Sequence, residues 1–485
     1  MIDLQINDGQ RKAAARMCRE RNIVVPTFAQ MKDPAAVPGP VKKQLRDIGL
    51  WDVHPRNLFR ITWKNEPVGE GGGFGGINHI VLPPELTGVP AKIVALVGKW
   101  FPTGAHKVGA TFGCLVPRLV TGQFDPGFQK AVWPSTGNYC RGGAYVAALL
   151  GCESIAILPE EMSNERFQWL KKIAGEVIAT PGCESNVKEI FDKCRELLAT
   201  REDVVIFNQF DEFGNHLWHY EVTGPAFAEL LASPALDGKR YAGVVLTSGS
   251  SGTLGCADYL KELYPGSKIA VGEALQCPTL LRNGFGGHRI EGIGDKHVPW
   301  IHNLKNTDMV IAVNDEHTLR LLRLFNEPQG REYLKQAGVP SGLVEELDLL
   351  GISSIGNLIS AIKFAKYYEL GAEDIVFTLF TDSLELYCSR LEELNSERGP
   401  YDAEHAARDA ELLHGIGTDN MLELSYYDRK RIHNLKYYTW IEQQKKDLDE
   451  LNAQWYDREY WGGIHGLAGR IDGLISDFND LIAGG

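Results

Sequence analysis

Residues 91–98 read "AKIVALVG" and residues 101–110 read "FPTGAHKVGA". The first is a short apolar run of the length and β-branched character of a strand buried on both faces. The second places one lysine, Lys107, among small residues just beyond that strand, with His106 before it and Gly104 and Gly109 on either side. Eight further runs of the same kind follow: 129–135, 154–160, 175–181, 203–209, 241–249, 267–274, 308–314 and 373–383. Between them lie helical stretches such as "GGAYVAALLG" (142–151) and "GNLISAIKFAKYYEL" (356–370). Buried strands alternating with helices predict a layered α/β protein with parallel sheets.

A chain of 485 residues exceeds the size at which one hydrophobic core stops growing, so two or more domains are expected. The net charge of -13 repels nucleic acid and anionic membrane surfaces and leaves small molecules as the expected ligands. The first twenty residues are charged, and no stretch reaches the run of about 18 apolar residues that a membrane span needs. A cytoplasmic protein is the expectation. Nine cysteines without paired spacing read as reduced core thiols, and no metal site is expected.

In doubly wound α/β proteins ligands collect outside the carboxyl ends of the strands, which directs attention to four loops. "STGNYCRGG" (135–143) follows a strand and opens a helix, an arrangement suited to a carboxylate. "TSGSSGTLG" (247–255) does the same with more glycine, and its hydroxyls suit a phosphate. "EGIGDKHVP" (291–299) and "TDSLELY" (381–387) complete the set. A lysine, an anion loop, a phosphate loop and a late serine, in that order, are the parts needed to hold pyridoxal phosphate.

These segments make residues 55–390 resemble the fold-type II pyridoxal-phosphate enzymes, the cysteine synthase and cystathionine β-synthase family. The "PTGAHK" segment is also similar to that of the tryptophan synthase β-subunit. "FNQFDEFGNHLWHYEVTGPAF" (207–227) and "GISSIGNLISAIKFAKYYE" (351–369) resemble further family segments. The resemblance implies two doubly wound α/β domains with the cofactor between them. One is formed by 51–99 with 226–395 and binds the phosphate. The other spans 100–225 and carries the lysine and the substrate loop. Residues 1–50 are an N-terminal extension, and 396–485, charged and rich in aromatics, a helical C-terminal one.

By the same resemblance Lys107 is the Schiff-base lysine, and Ser248, Gly249, Ser250, Ser251, Gly252 and Thr253 form the phosphate cup. Ser135, Thr136, Gly137 and Asn138 bind the substrate carboxylate with Gln209, Asn138 also meeting the cofactor. Ser383 is the pyridine-nitrogen partner, and a neutral group there gives a weaker electron sink than a carboxylate. Adjacent residues on a strand face opposite ways, so Asp382 is the competing partner. A freed Lys107 then serves as general base for the α-proton. The implied reaction is β-replacement or β-elimination on a small amino acid of the serine or cysteine type, through an aminoacrylate, in a homodimer. A catalytically silent paralogue that binds cofactor or an amino acid to regulate a partner is the alternative.

Two departures stand out: Val108 follows the lysine where the family often has an acid, and neither extension resembles anything in the family. "GEGGGFGG" (69–76) reads as a connection or flap, since no Gly-Lys-Ser/Thr follows it. His288, His297 and His302 fit no metal spacing. His106, if extended, points away from Lys107 and packs.

Overall fold

The computed structural model describes residues 2–67, 71–135, 137–294 and 296–484. Two sheets organise it. The larger has seven strands: β1 (His79–Leu82), β2 (Lys92–Val97), β7 (Arg240–Thr247), β8 (Lys268–Ala274), β9 (Met309–Val313), β10 (Asp374–Phe380) and β11 (Met421–Glu423), ordered β1-β2-β10-β7-β8-β9-β11. The five central strands are parallel, with Ala95 opposite Thr378, whereas β1 and β11 close the two edges antiparallel. The smaller sheet is wholly parallel, ordered β5-β4-β3-β6 from β3 (Lys130–Pro134), β4 (Ser154–Pro159), β5 (Glu176–Thr180) and β6 (Val204–Ile206).

Strand alternation divides the core. On β2, Val94 and Leu96 face one hydrophobic cluster while Ile93, Ala95 and Val97 face another; on β10, Phe377 and Val376 divide the same way. Helices on both faces cover these layers, which is why the strands read as continuous apolar runs. The small sheet repeats the arrangement with Trp133 on one side and Val132 on the other.

The C-terminal extension is mostly helical, as its sequence predicts, with one short strand added. Residues 421–423 add strand β11 to the edge of the large sheet, so the C-terminal extension is not helical throughout. The two ends also meet. Helix Asp8–Glu20 packs on helix Ala468–Ala483, and both rest on helix Lys107–Thr121. Arg19 donates to the carbonyl of Ile482 at 2.7 Å, and Asn479 exchanges two hydrogen bonds with the backbone of Val25. The aromatic tail buries Trp440, Trp455 and Trp461, a packed cover rather than a linker. All nine cysteines are free thiols, seven of them buried. No described helix is long and apolar enough to cross a membrane. The start of the 69–76 glycine segment lies outside the described residues.

Candidate active site

The carboxyl ends of β3, β6, β7 and β10 open on a cleft between the two sheets. Two short turns, Gly98–Trp100 and Pro102–Gly104, separate β2 from Lys107, which is the first residue of helix Lys107–Thr121. The lysine therefore stands at a helix start, not at a strand end. Thr103, in the turn before it, holds a left-handed φ of 68°, backbone strain of the kind found near functional sites.

Lys107 Nζ donates to Ser250 Oγ at 3.1 Å. The same oxygen accepts from Asn215 Nδ2 at 3.0 Å, and Asn215 also donates to the carbonyl of Gln209. Gln209 Nε2 in turn reaches Ser135 Oγ at 3.3 Å. One chain of hydrogen bonds thus joins the lysine, the 247–255 loop and the 135–143 loop. Lys107, Ser135, Asn138, Gln209, Gly249, Ser250, Ser251 and Thr253 all line the cleft. Gly137, Ser248 and Gly252 stand behind the lining and shape it. Gly137 has φ 152°, and a Cβ there would overlap the Arg166 side chain. Ser248 Oγ meets Ser251 Oγ at 2.8 Å, and a Cβ on Gly252 would overlap the Asn215 carboxamide. Thr136 lies outside the described residues.

The end of β10 shows which side each residue takes. Thr381 lines the cleft, and Ser383, fully buried in extended backbone, shares its side by alternation but not the lining. Asp382 faces the other way. It accepts from Asn138 Nδ2 at 2.6 Å and Tyr387 Oη at 2.8 Å, with the Arg166 guanidinium at 3.6 Å. Burial pushes its carboxyl up, against the pull of Arg166 and Asn138. Arg166 also pairs with Glu291, an ion pair that closes this buried network.

Sequence reasoning passed over several residues of the cleft wall, His106, Thr381 and Glu184 among them. His106 has helical dihedrals, φ -63° and ψ -10°, so it does not turn away from the lysine. It lines the cleft, with Nε2 3.2 Å from Thr381 Oγ1 and its ring edge-on to His219 at 4.9 Å. Burial, reinforced by the Lys107 charge, holds His106 well below the usual histidine range, and burial does the same for His219. Asn215, which holds Ser250 from behind the lining, sits inside the 207–227 segment and Thr381 opens "TDSLELY", so both lay in quoted motifs; Glu184 on the cleft wall had no signal at all. His288, His297 and His302 do not converge: His288 bonds the Gly294 carbonyl, His302 bonds Thr307, and His297 packs among aromatic rings.

The cleft offers hydrogen-bonding groups of the kind a phosphorylated ligand uses. The amides of Gly249, Ser250, Ser251 and Thr253 make no backbone hydrogen bond among the described residues, and Ser251 turns the loop with φ 63°. Such a turn directs successive N–H groups at an anion, with the helix Leu254–Leu263 starting just behind. The buried Asn138 Oδ1 in the cleft has no partner among the described residues, an acceptor left for a ligand.

Two sheets, an anion loop at a helix start and a lysine facing it define an α/β enzyme that holds a phosphorylated cofactor between its layers. The profile of a family described as "Pyridoxal-phosphate dependent enzyme" matches residues 100–332. The cysteine synthase of Staphylococcus aureus is 31% identical over 271 residues, 55% of this chain and 78% of that protein. The probable cysteine synthase of Bacillus subtilis is 29% identical over 289 residues, 59% of this chain and 85% of its own length. Among solved structures, the cysteine synthase of Entamoeba histolytica superposes with a TM-score of 0.57 at 21% identity, covering 70% of this chain and 94% of that one. The chain belongs to the pyridoxal-phosphate enzyme family of the cysteine synthases and cystathionine β-synthases. It is accordingly a pyridoxal-phosphate-dependent lyase or transferase.

Proposed function

We propose that this enzyme catalyses β-replacement or β-elimination on a small amino acid of the serine or cysteine type. The observation that carries the reading is the hydrogen bond from Lys107 Nζ to Ser250 Oγ, which sets the amine against the phosphate loop within the cleft. The cofactor supplies the electron sink that lets a β-leaving group depart. Lys107 would hold it covalently, and once released would take the α-proton on Nζ. The amides of Gly249 to Thr253 would bind its phosphate. Ser135, Gly137, Asn138 and Gln209, with Thr136, would receive the substrate carboxylate at the start of helix Asn138–Leu149. Asp382 would fix Asn138 by holding its Nδ2, so that Oδ1 points into the cleft. Ser383, on the side of the strand end that faces the cleft, would meet the ring nitrogen.

Buried, neutral His106 and His219 beside the amine keep a second positive charge away from it. The relatives' names favour an O-activated serine as substrate, one being described as an O-acetylserine dependent cystathionine beta-synthase. We also infer a cytoplasmic homodimer, which light scattering of the purified chain checks.

The deciding experiment offers the cofactor-loaded enzyme serine, cysteine and O-acetylserine, each with and without sulfide or a thiol. Pyruvate with ammonia, or a new thioether or thiol amino acid, is expected, and Lys107→Ala should produce none. Absence of product from every combination would overturn the reading in favour of a silent regulatory protein.

A further inference from the structure

A second cluster of chemistry lies behind the phosphate loop, outside the cleft. His216 sits in helix Phe213–Trp218, Asp258 in helix Leu254–Leu263 and His465 at the end of helix Tyr460–His465 in the C-terminal extension. All three are buried, with exposures of 0%, 2% and 7%. His216 Nε2 lies 3.1 Å from His465 Nε2, and Asp258 Oδ2 is 3.6 Å from the first and 3.9 Å from the second.

We propose that these three side chains form a zinc site that fastens the C-terminal extension to the elements behind the phosphate loop. The geometry is the first support. The circle through the three ligand atoms has a radius of about 2.1 Å, the Zn–N and Zn–O bond length, and its centre falls inside the triangle. An octahedral face would need edges of about 3 Å throughout, and the two edges to Asp258 are too long for it. An ion at that centre would be coplanar with its three ligands, and closing to four-coordination with a water asks the ligand atoms to draw in by roughly 0.2 Å.

The surroundings are the second support. His465 Nδ1 is 3.2 Å from Glu262 Oε1, so a carboxylate orients this ring from the side away from His216. Carboxylate–histidine–metal relays have this form. Asn303 donates to Asp258 Oδ2 at 2.9 Å and Asn306 to Oδ1 at 2.8 Å, which fixes the carboxylate's orientation. A divalent ion would face the buried Asp258 carboxylate directly, whose other neighbours are the two carboxamides and the two imidazole rings. The site would also act at a distance. His216 adjoins Asn215, which bonds Ser250, and Asp258 lies on the helix that follows the phosphate loop.

The test uses the full-length holoenzyme. After exposure to zinc alone and gel filtration, elemental analysis should find about one zinc per chain. Asp258→Asn and His465→Gln should each lose it. Chelation should lower the Tm and speed proteolysis within 420–485, and zinc should restore both. Cobalt substitution supplies a readout that does not depend on the variants folding: a d–d spectrum of intensity typical of four-coordination is expected. Less than a tenth of an equivalent of zinc in the native chain, with no change of Tm on chelation, would overturn the proposal and leave a hydrogen-bonded histidine pair. Equal zinc content in wild type and both variants would overturn it as well, by placing the metal elsewhere.

Discussion

The cleft and the clasp of the two termini are built by opposite means. Most of the cleft residues arrive in short segments, 135–138 and 249–253 among them, each at the end of one strand. The clasp joins residues far apart in the chain, as when Arg19 bonds Ile482 or Asn479 bonds Val25. Local segments leave a signature in sequence and long-range pairs leave none. The two regions should also separate in experiment, with cleft changes acting on turnover and clasp changes on stability.

The largest expected effect lies in the cleft. Lys107→Ala should cut turnover by at least about 10³-fold, the scale of a lost base and covalent anchor. Its Tm should stay within a few degrees of wild type once cofactor loading is matched, measured by thermal unfolding beside steady-state rates. A collapse of the fold instead would mean that the lysine is structural and the contrast false.

Next comes the phosphate loop. Gly252→Ala would displace Asn215 and through it Ser250, so cofactor affinity should fall about 10- to 100-fold, the equivalent of one or two hydrogen bonds. Asn215→Ala should fall in the same direction by less. Fluorescence titration with pyridoxal phosphate measures both, and unchanged affinity in the two would move the phosphate away from this loop. At the strand end, Ser383→Ala should shift the cofactor's visible band, while Asp382→Asn should raise KM by loosening Asn138. A larger spectral change in Asp382→Asn would make the aspartate the ring partner.

Legibility followed the same division. Nine apolar runs became β2 to β10; the central ones were plain because strands buried on both faces are apolar at nearly every position, whereas β5 lies largely exposed. β1 and β11 escaped notice, being edge strands of four and three residues, and β11 is enclosed by charged helical sequence. Of the residues that line the cleft, Lys107, Asn138 and Ser250 lie in segments that the sequence had singled out. His106 was misjudged, because its helical backbone depends on a turn centred on the strained Thr103 that composition does not announce. The His216–Asp258–His465 cluster was invisible, since two of its members are 249 positions apart and no spacing rule spans that gap.

The clasp side carries a pH dependence. His433 is buried in the C-terminal extension, its Nε2 3.2 Å from the Leu451 carbonyl, and burial, with Lys436 and Lys430 adding to it, holds it down to about 2. The unfolded chain takes up that proton near the ordinary histidine value of about 6.5. Its contribution is therefore complete above that pH and is lost as pH falls towards about 2, with a slope of about 1.4 kcal/mol per unit. His433→Gln keeps a donor for Leu451 and removes the titration. Denaturant unfolding between pH 6 and 4 should show a flatter slope in the variant by roughly that amount. An unchanged slope would place the acid-sensitive groups in the body.

The smallest effect tests the clasp at its N-terminal contact. Asp472 accepts from Phe28 N at 2.7 Å and Ala29 N at 3.0 Å, one oxygen for each of the first two amides of helix Phe28–Lys32. Phe28 packs in turn against Phe112 on the helix that begins with Lys107, so this contact lies one side chain away from the catalytic helix. Asp472→Ala leaves both amides without their carboxylate, while Thr27 still caps the third. Because the site is near the surface and a second cap remains, the loss should be about 1 kcal/mol, at the scale of one N-cap. Turnover at saturating substrate should not change, since no cleft residue is displaced. If kcat fell several-fold while stability moved by no more than that, the clasp would be setting the position of helix Lys107–Thr121, and the separation of the two regions would fail where they come closest.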